Sequence, residues 1–114
     1  YLLANEIKFE KIFTTLKQPW SLSFVDEKNL LITEKSGKLY HFNLINKKKT
    51  EINHDLSILE VGQGGLLDVL YHDKDVYVSY SENRGNWRSS TSVAKGKFNI
   101  NIINFKNSLI LIFF

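Results

Sequence analysis

A set of three or four short β-rich segments occurs twice in this chain, and that repeat limits the possible folds more than any other feature. Setting the segment from Trp20 against the segment from Leu66, 46 positions further on, pairs Phe24 with Leu70, Asn29 with Asp75, Leu30 with Val76 and Ile32 with Val78. A third segment recurs too, with Gly37-Lys38-Leu39-Tyr40-His41-Phe42 set against Val93-Ala94-Lys95-Gly96-Lys97-Phe98. That match needs about ten extra residues, which the polar stretch Glu82 to Thr91 supplies as a long loop. Helical periodicity is absent, and short runs rich in β-branched and aromatic residues are separated by polar turns. The predicted strands are Glu6 to Phe13, Trp20 to Val25, Asn29 to Glu34, Lys38 to Leu44, Leu66 to Tyr71, Asp75 to Ser81 and Ser92 to Phe98. Asp26 to Asn29 and His72 to Asp75 occupy matching places between strands, where short polar residues favour hairpin turns.

Repeats of about 40 to 50 residues built from a few short strands are the signature of β-propeller blades. The predicted fold is therefore all-β, a partial β-propeller of about two blades. A β-sandwich of similar hairpins is the alternative. A chain of 114 residues is too short for six blades; it opens on Tyr1 and contains no methionine, so it reads as an N-terminal fragment. The expected organisation is one unit over 1–114, with blade one at about 6–53, blade two at about 62–99 and a tail, 100–114, to which no role is assigned. The tail ends in six consecutive apolar residues, Leu109 to Phe114. Six are far too few to span a bilayer. They read as one more strand, opening the next blade, and an apolar strand at an open sheet edge is an aggregation hazard that also points to truncation.

The formal charge of +3 is spread among acidic residues, without the basic stripe of a nucleic-acid binder. The one charge run, Lys47-Lys48-Lys49, falls between strand-like segments and reads as a solvated turn. The absence of cysteine excludes disulfides, thiolate metal sites and cysteine nucleophiles. Tyr1-Leu2-Leu3-Ala4 before Asn5-Glu6 has the form of the last turn and cleavage site of a secretory leader, with the start of a strand as the alternative.

Two segments bring a family into view. Gln18-Pro19-Trp20-Ser21-Leu22-Ser23-Phe24 is followed by Leu30-Leu31-Ile32-Thr33-Glu34-Lys35-Ser36-Gly37, and then Gly62-Gln63-Gly64-Gly65-Leu66-Leu67-Asp68-Val69. With Val76 to Ser81 and Thr91 to Phe98, these resemble the soluble pyrroloquinoline-quinone (PQQ)-dependent aldose and glucose dehydrogenases, the glucose/sorbosone dehydrogenase family, over roughly Lys17 to Phe98. The Gly-Gln-Gly-Gly-Leu-Leu-Asp element is the most specific part. The resemblance implies a six-bladed propeller that binds PQQ and calcium near its axis, oxidises the anomeric carbon of an aldose to a lactone and passes electrons to an acceptor. It also implies a periplasmic or secreted protein, with a small-molecule sugar as partner, no nucleic acid and no membrane span; oligomeric state is left open.

Of the family's machinery, the resemblance carries Gln63, Gly64 and Asp68 onto this chain as cofactor-binding residues. Gln63 is the strongest, because its amide both donates to a quinone carboxylate and accepts from a sugar hydroxyl. Gly62, Gly64 and Gly65 would let the backbone take positive φ and approach a flat ligand closely; Asp68 is also read as a cap on the loop. The family's catalytic histidine lies in a His-rich motif after the second-blade region, so no catalytic and no metal-ligating residue is assigned here. His41, His54 and His72 read as strand or surface residues, and as it stands the chain is expected to be inactive. Trp20, Phe24, Tyr77 and Tyr80 are expected to fill the space between blades. Trp87, between Arg84 and Arg88, reads as tucked onto the blade edge, with a place at the pocket mouth as the alternative. A non-catalytic propeller acting as a binding or scaffold module is the competing functional reading, since fold alone does not decide function.

Overall fold

Polar turns set the strands. In the computed structural model, which describes residues 6–12, 15–106 and 110–113, the Asp26 carboxylate accepts from the Lys28 and Asn29 amides at 2.8 and 2.9 Å. This closes the turn between β1 (Pro19–Phe24) and β2 (Asn29–Glu34). Asn43 does the same for Ile45 and Asn46, at the end of β3 (Leu39–Asn43) and before β4 (Lys49–His54). Asp73 and Lys74, at φ of 48° and 69°, join β5 (Leu66–His72) to β6 (Asp75–Asn83). Two successive positive φ values make the mirror-image turn whose twist matches a hairpin. β7 (Ser89–Lys97), β8 (Ile102–Ile103) and β9 (Ile110–Phe113) follow.

Two sheets result, in the orders β1-β2-β3-β4-β8 and β5-β6-β7-β9. All pairings are antiparallel except that of β8 with β4. β1 to β4 and β5 to β7 are sequential meanders from the inner strand outward, β8 crosses back to the outer edge of the first sheet and β9 returns to the second, and the sheets meet chiefly through β1, β2 and β5. These are two propeller blades, each built on a meander in place of the Greek-key order of a sandwich.

The differences from the sequence reading have local causes. Residues 6–12 form no strand, and Ile7 and Phe9 are 84% and 96% exposed: a β-rich run needs a neighbouring edge to pair with. Phe13, and the leader-like Tyr1 to Ala4, lie outside the described residues. Lys49 opens a strand that the lysine run concealed, because Ile52 is the only aliphatic side chain in β4 and gives no alternation to read. The tail does not open a new blade: β8 extends the outer edge of the first sheet, and β9 pairs with β7 as the fourth strand of the second.

The repeat is real but shifted. Phe24 pairs with Leu30, whereas Val76, the counterpart of Leu30, pairs with Tyr71. Tyr71, not Leu70, thus stands in the place of Phe24: the second hairpin's turn is one residue shorter, with four residues between Tyr71 and Val76 against five between Phe24 and Leu30, while both inner strands carry a bulge at the matching place. Similarly, Leu30 faces Phe42 and Val76 faces Gly96, so Gly96 corresponds to Phe42 and not to Tyr40.

Side chains alternate between two faces of each sheet. The back face of the first sheet, with Leu31, Leu39 and Ile52, packs on the front face of the second, with Val69, Val76, Val78, Tyr80 and Ala94. Ile103 and Phe105 complete this core, fully buried. The front face of the first sheet is a separate cluster of Leu30, Ile32 and Phe42. Trp20 and Phe24, expected between the blades, stand 50% and 54% exposed on or beside that front face, and Tyr77 is half-buried on the back of the second sheet; Tyr80 alone of the four lies in the core.

The segment after β7 binds the two sheets together. Asp55 accepts from the Phe105 amide at 2.8 Å, and the Phe105 ring meets His54 edge-on at 6.3 Å. A Cβ on Gly96 would collide with Ile103 and crowd Phe105, so the glycine is what admits them. Phe105→Ala should cost about 3–5 kcal/mol, read as a fall in the urea midpoint; a loss under about 1 kcal/mol would show that the segment is not part of the core. His41 is buried beside Phe98, ring centroids 6.3 Å apart. Burial holds its imidazole below the usual histidine range, with Asp26 opposing in part. The unfolded chain therefore takes up this proton more readily than the folded one, and the associated stability is intact above about pH 6.5 and lost as pH falls below it. Denaturant midpoints at about pH 7.5 and pH 5 should differ more for the wild type than for His41→Gln.

Candidate functional site

One end of the two sheets carries the loop between β4 and β5, the turn between β2 and β3, and the turn between β6 and β7. Val61 to Gly64 form a tight turn in which the Gly64 amide donates to the Val61 carbonyl at 2.8 Å. Gly62, at φ 59°, takes the first central position, where a turn of this type requires positive φ. Gln63 follows at the tip, exposed, and its amide has no hydrogen-bond partner among the described residues. The Lys35 ammonium donates to the Gly62 carbonyl and fixes the turn against the first blade.

Gly64 and Gly65 then thread between the blades. The Leu66 amide donates to the Lys35 carbonyl at 3.0 Å, and the Ser81 amide to the Gly65 carbonyl at 2.8 Å. A Cβ on Gly64 would strike the Ser81 hydroxyl, and one on Gly65, at φ 155°, would strike the Lys35 backbone. Gly65 is there because two segments pass at backbone contact distance, and Gly64 because the Ser81 side chain lies against it.

Below the loop, hydroxyls join the inner strands. Ser21 donates to the Asp68 carboxylate at 2.5 Å, and that same oxygen accepts from the Val69 amide at 2.9 Å. Thr33 donates to the Leu67 carbonyl at 2.6 Å, and the Tyr71 amide donates to Ser23 at 2.9 Å. The structure thus places Gln63 and Gly64 at the loop end and gives Asp68 partners in the seam between β1 and β5.

Beside this end, the Arg84 and Arg88 backbones pair to hold a hairpin loop in which Gly85, Asn86 and Trp87 all have positive φ. Trp87 is 84% exposed and not tucked onto the blade; with Leu59, Asn83 and Asn86 it borders an open pocket of about 380 Å³. Three consecutive residues with positive φ are uncommon and hold the indole away from the sheet. Arg84 pairs with Glu82 at 4.0 Å, and Glu82 accepts from Ser92 at 2.7 Å.

The histidines are taken up elsewhere. His41 is core, and His54 contacts the Gly37 carbonyl at 2.7 Å through Nε2 while Nδ1 accepts from the Leu56 amide. His72 sits at the opposite end of β5 from the glycine loop. Sequence reasoning missed Lys35, whose contact with residue 62 spans 27 positions and leaves no local signal.

The glycines separate by what surrounds them. Gly62→Ala meets open space and should cost only the positive-φ penalty, about 1–2 kcal/mol. Gly65→Ala must also push back the Lys35 carbonyl and should cost roughly 1–3 kcal/mol more. Equal melting temperatures for the two variants would show that the loop does not depend on that contact.

The family model for Glucose / Sorbosone dehydrogenase matches residues 16–111. The chain is 29% identical over 97 residues to the aldose sugar dehydrogenase YliI of Escherichia coli (strain K12), covering 80% of this chain and 26% of that protein. A solved glucose dehydrogenase superposes with a TM-score of 0.78 at 27% identity, over 92% of this chain and 34% of its own. The PQQ-bound form of an aldose sugar dehydrogenase from Streptomyces coelicolor shares the fold, with a TM-score of 0.68 at 20% identity over 79% of this chain and 27% of its own. The chain therefore spans about a quarter to a third of the length of these relatives. Two meander sheets in blade arrangement, a Gly-Gln-Gly-Gly loop at their shared end and a family match over most of the length place this chain in the glucose/sorbosone dehydrogenase family.

Proposed function

We propose that this chain contributes the first wall of a PQQ-dependent sugar dehydrogenase site, with Gln63 as its contact to cofactor and sugar. The observation that carries the reading is the loop itself: an unpartnered amide at the tip of a turn, beside a glycine whose missing side chain leaves the backbone open. PQQ bears carboxylates, and the Lys35 ammonium beside the loop adds the positive field that such an anion needs. When bound, PQQ supplies the hydride acceptor that turns an aldose into its lactone.

The chain's own residues bind and orient. Gln63 donates to a cofactor carboxylate or accepts from a sugar hydroxyl, Gly62 leaves open space for a flat ring close to the backbone, and Gly64 enters the reading by admitting Ser81 against the loop. Asp68 enters the same reading as a positioning residue that ties β1 to β5 beneath the loop. The exposed Trp87 indole offers a surface on which a sugar ring stacks. Calcium belongs to this reading as the companion of the quinone, with no ligand assigned; the described residues contain no group of three or more His, Cys, Asp or Glu placed to hold a metal. No histidine here is proposed as the general base. We place the working protein in the periplasm or outside the cell, passing electrons to a separate acceptor.

With one wall, the isolated chain should neither reduce a dye with glucose, PQQ and calcium nor bind PQQ tightly. A chimera in which residues 16–111 replace the matching segment of the E. coli relative should be active, and Gln63→Ala in it should lower kcat/KM roughly 3- to 100-fold. Its melting temperature should stay within about 2 °C, because an exposed side chain leaves no cavity. A folded chimera that ignores sugar would favour a non-catalytic module; full activity with a fallen melting temperature would make Gln63 a turn residue only.

A further inference from the structure

The front face of the second sheet changes character above Tyr80. Alternation puts Tyr80, Glu82 and Arg84 on that face of the β6 arm, and pairing sets Ser92 across from Tyr80 and Ser90 across from Glu82. The Arg84 amide donates to the Arg88 carbonyl at 2.8 Å, so the two arginines stand across from each other where the strands run into the loop. Apolar packing gives way there to hydroxyls, one carboxylate and two guanidiniums.

Arg84, Arg88, Ser89 and Ser90 border a pocket of about 270 Å³. The Glu82 carboxylate accepts from Ser92 at 2.7 Å and pairs with Arg84 at 4.0 Å. Two guanidiniums against that one carboxylate leave a single positive charge at the pocket. Like charges set opposite each other destabilise a hairpin, and an anion lying between them removes the cost. The Ser90 hydroxyl oxygen is buried and has no hydrogen-bond partner among the described residues, a costly state that an acceptor in the pocket would relieve. Next to Arg88 in the loop, the Trp87 indole is 84% exposed and borders the neighbouring pocket with Asn83 and Asn86. The hairpin stands above the glycine loop: Gly64 lies against Ser81, and three residues of strand, about 10 Å, separate Ser81 from Arg84.

We infer that this hairpin is the subsite for an acidic sugar, an aldose that carries a carboxylate. The guanidiniums of Arg84 and Arg88 bind the carboxylate, the Ser90 hydroxyl donates to it, and the Trp87 indole takes the apolar face of the ring. Guanidinium forks match carboxylate geometry, and one net positive charge matches a monoanion better than a phosphate dianion. The aldose rests on the sugar dehydrogenase reading; the acid rests on the hairpin itself.

The deciding measurement is an NMR titration of the 114-residue chain at low salt and about pH 7 with D-glucuronate, its neutral methyl ester, D-glucose and inorganic phosphate. Glucuronate should shift the resonances of Arg84, Trp87, Arg88 and Ser90 and bind at least about 10-fold more tightly than the ester or glucose. R84Q/R88Q, folded by circular dichroism, should lose that advantage. S90A should weaken glucuronate about 3- to 10-fold without lowering the melting temperature, because no partner in the chain loses a bond. Equal binding of glucuronate and its ester, shifts confined to other parts of the chain, or wild-type affinity in R84Q/R88Q overturns the inference. Inorganic phosphate binding as tightly as glucuronate, with no shift at Trp87, means an adventitious ion only and overturns it too. In the chimera carrying residues 16–111, R84Q/R88Q should lower kcat/KM for glucuronate relative to glucose at least about 10-fold. A chimera active on glucose without that change overturns the acidic subsite and leaves the dehydrogenase reading standing. A chimera inactive on every sugar, with glucuronate still bound through Arg84 and Arg88 in the titration, supports the subsite and sinks the dehydrogenase reading.

Discussion

The structure depends on the hydroxyl seam between the inner strands. β5 is the edge strand of its sheet, and its side toward β1 has backbone groups that no strand pairs with. Thr33 takes the Leu67 carbonyl and Ser23 the Tyr71 amide, while Ser21 reaches the Asp68 carboxylate. Buried backbone groups left without partners are costly, so these short side chains let two sheets meet edge to edge at their inner strands without fusing into one. Outward from the seam the polar contacts give way to packed Leu31, Leu39, Ile52, Val78 and Tyr80. Direction comes from the hydrogen bonds and most of the energy from the burial.

The glycine loop hangs on this arrangement. Once β1 and β5 lie side by side, the chain entering β5 must pass the turn after β2 at backbone distance, and only glycine fits at position 65, while a Cβ at position 64 would strike the Ser81 side chain. The same threading leaves Gln63 at the top of a turn pinned by Lys35. The loop proposed as a binding element is therefore also a crossing point between blades. Fold and site share these residues, and a change at Gly65 disturbs both where a change at Gln63 disturbs one.

An arrangement of repeated blades also explains the exposed apolar side chains. Leu22 and Phe24 keep the residue types of an inner face because each blade offers the same front to its neighbour. The tail acts in the opposite direction: Ile103 and Phe105 fold back under Gly96 and close part of the core from within the chain.

Much of this was legible in the residues. Alternation and turn chemistry determined the all-β class and the hairpins around Asp26 and Asp73, and the repeat determined that there are two like sheets. The Gly62 to Asp68 element marked the loop. These signals are local, carried by side chains within one hairpin of each other. Only the tertiary structure decided the rest. The turn before β6, one residue shorter than its counterpart before β2, moved Tyr71 into the place of Phe24, since register is set by pairing across strands. β4 exists because β3 offers an edge to a segment with little β signal of its own. Lys35 joins the loop across 27 positions. Which aromatics are buried was likewise decided late: Tyr80 faces the neighbouring blade and Trp20 faces none, and burial belongs to the pair of surfaces that meet, which no single stretch of sequence contains.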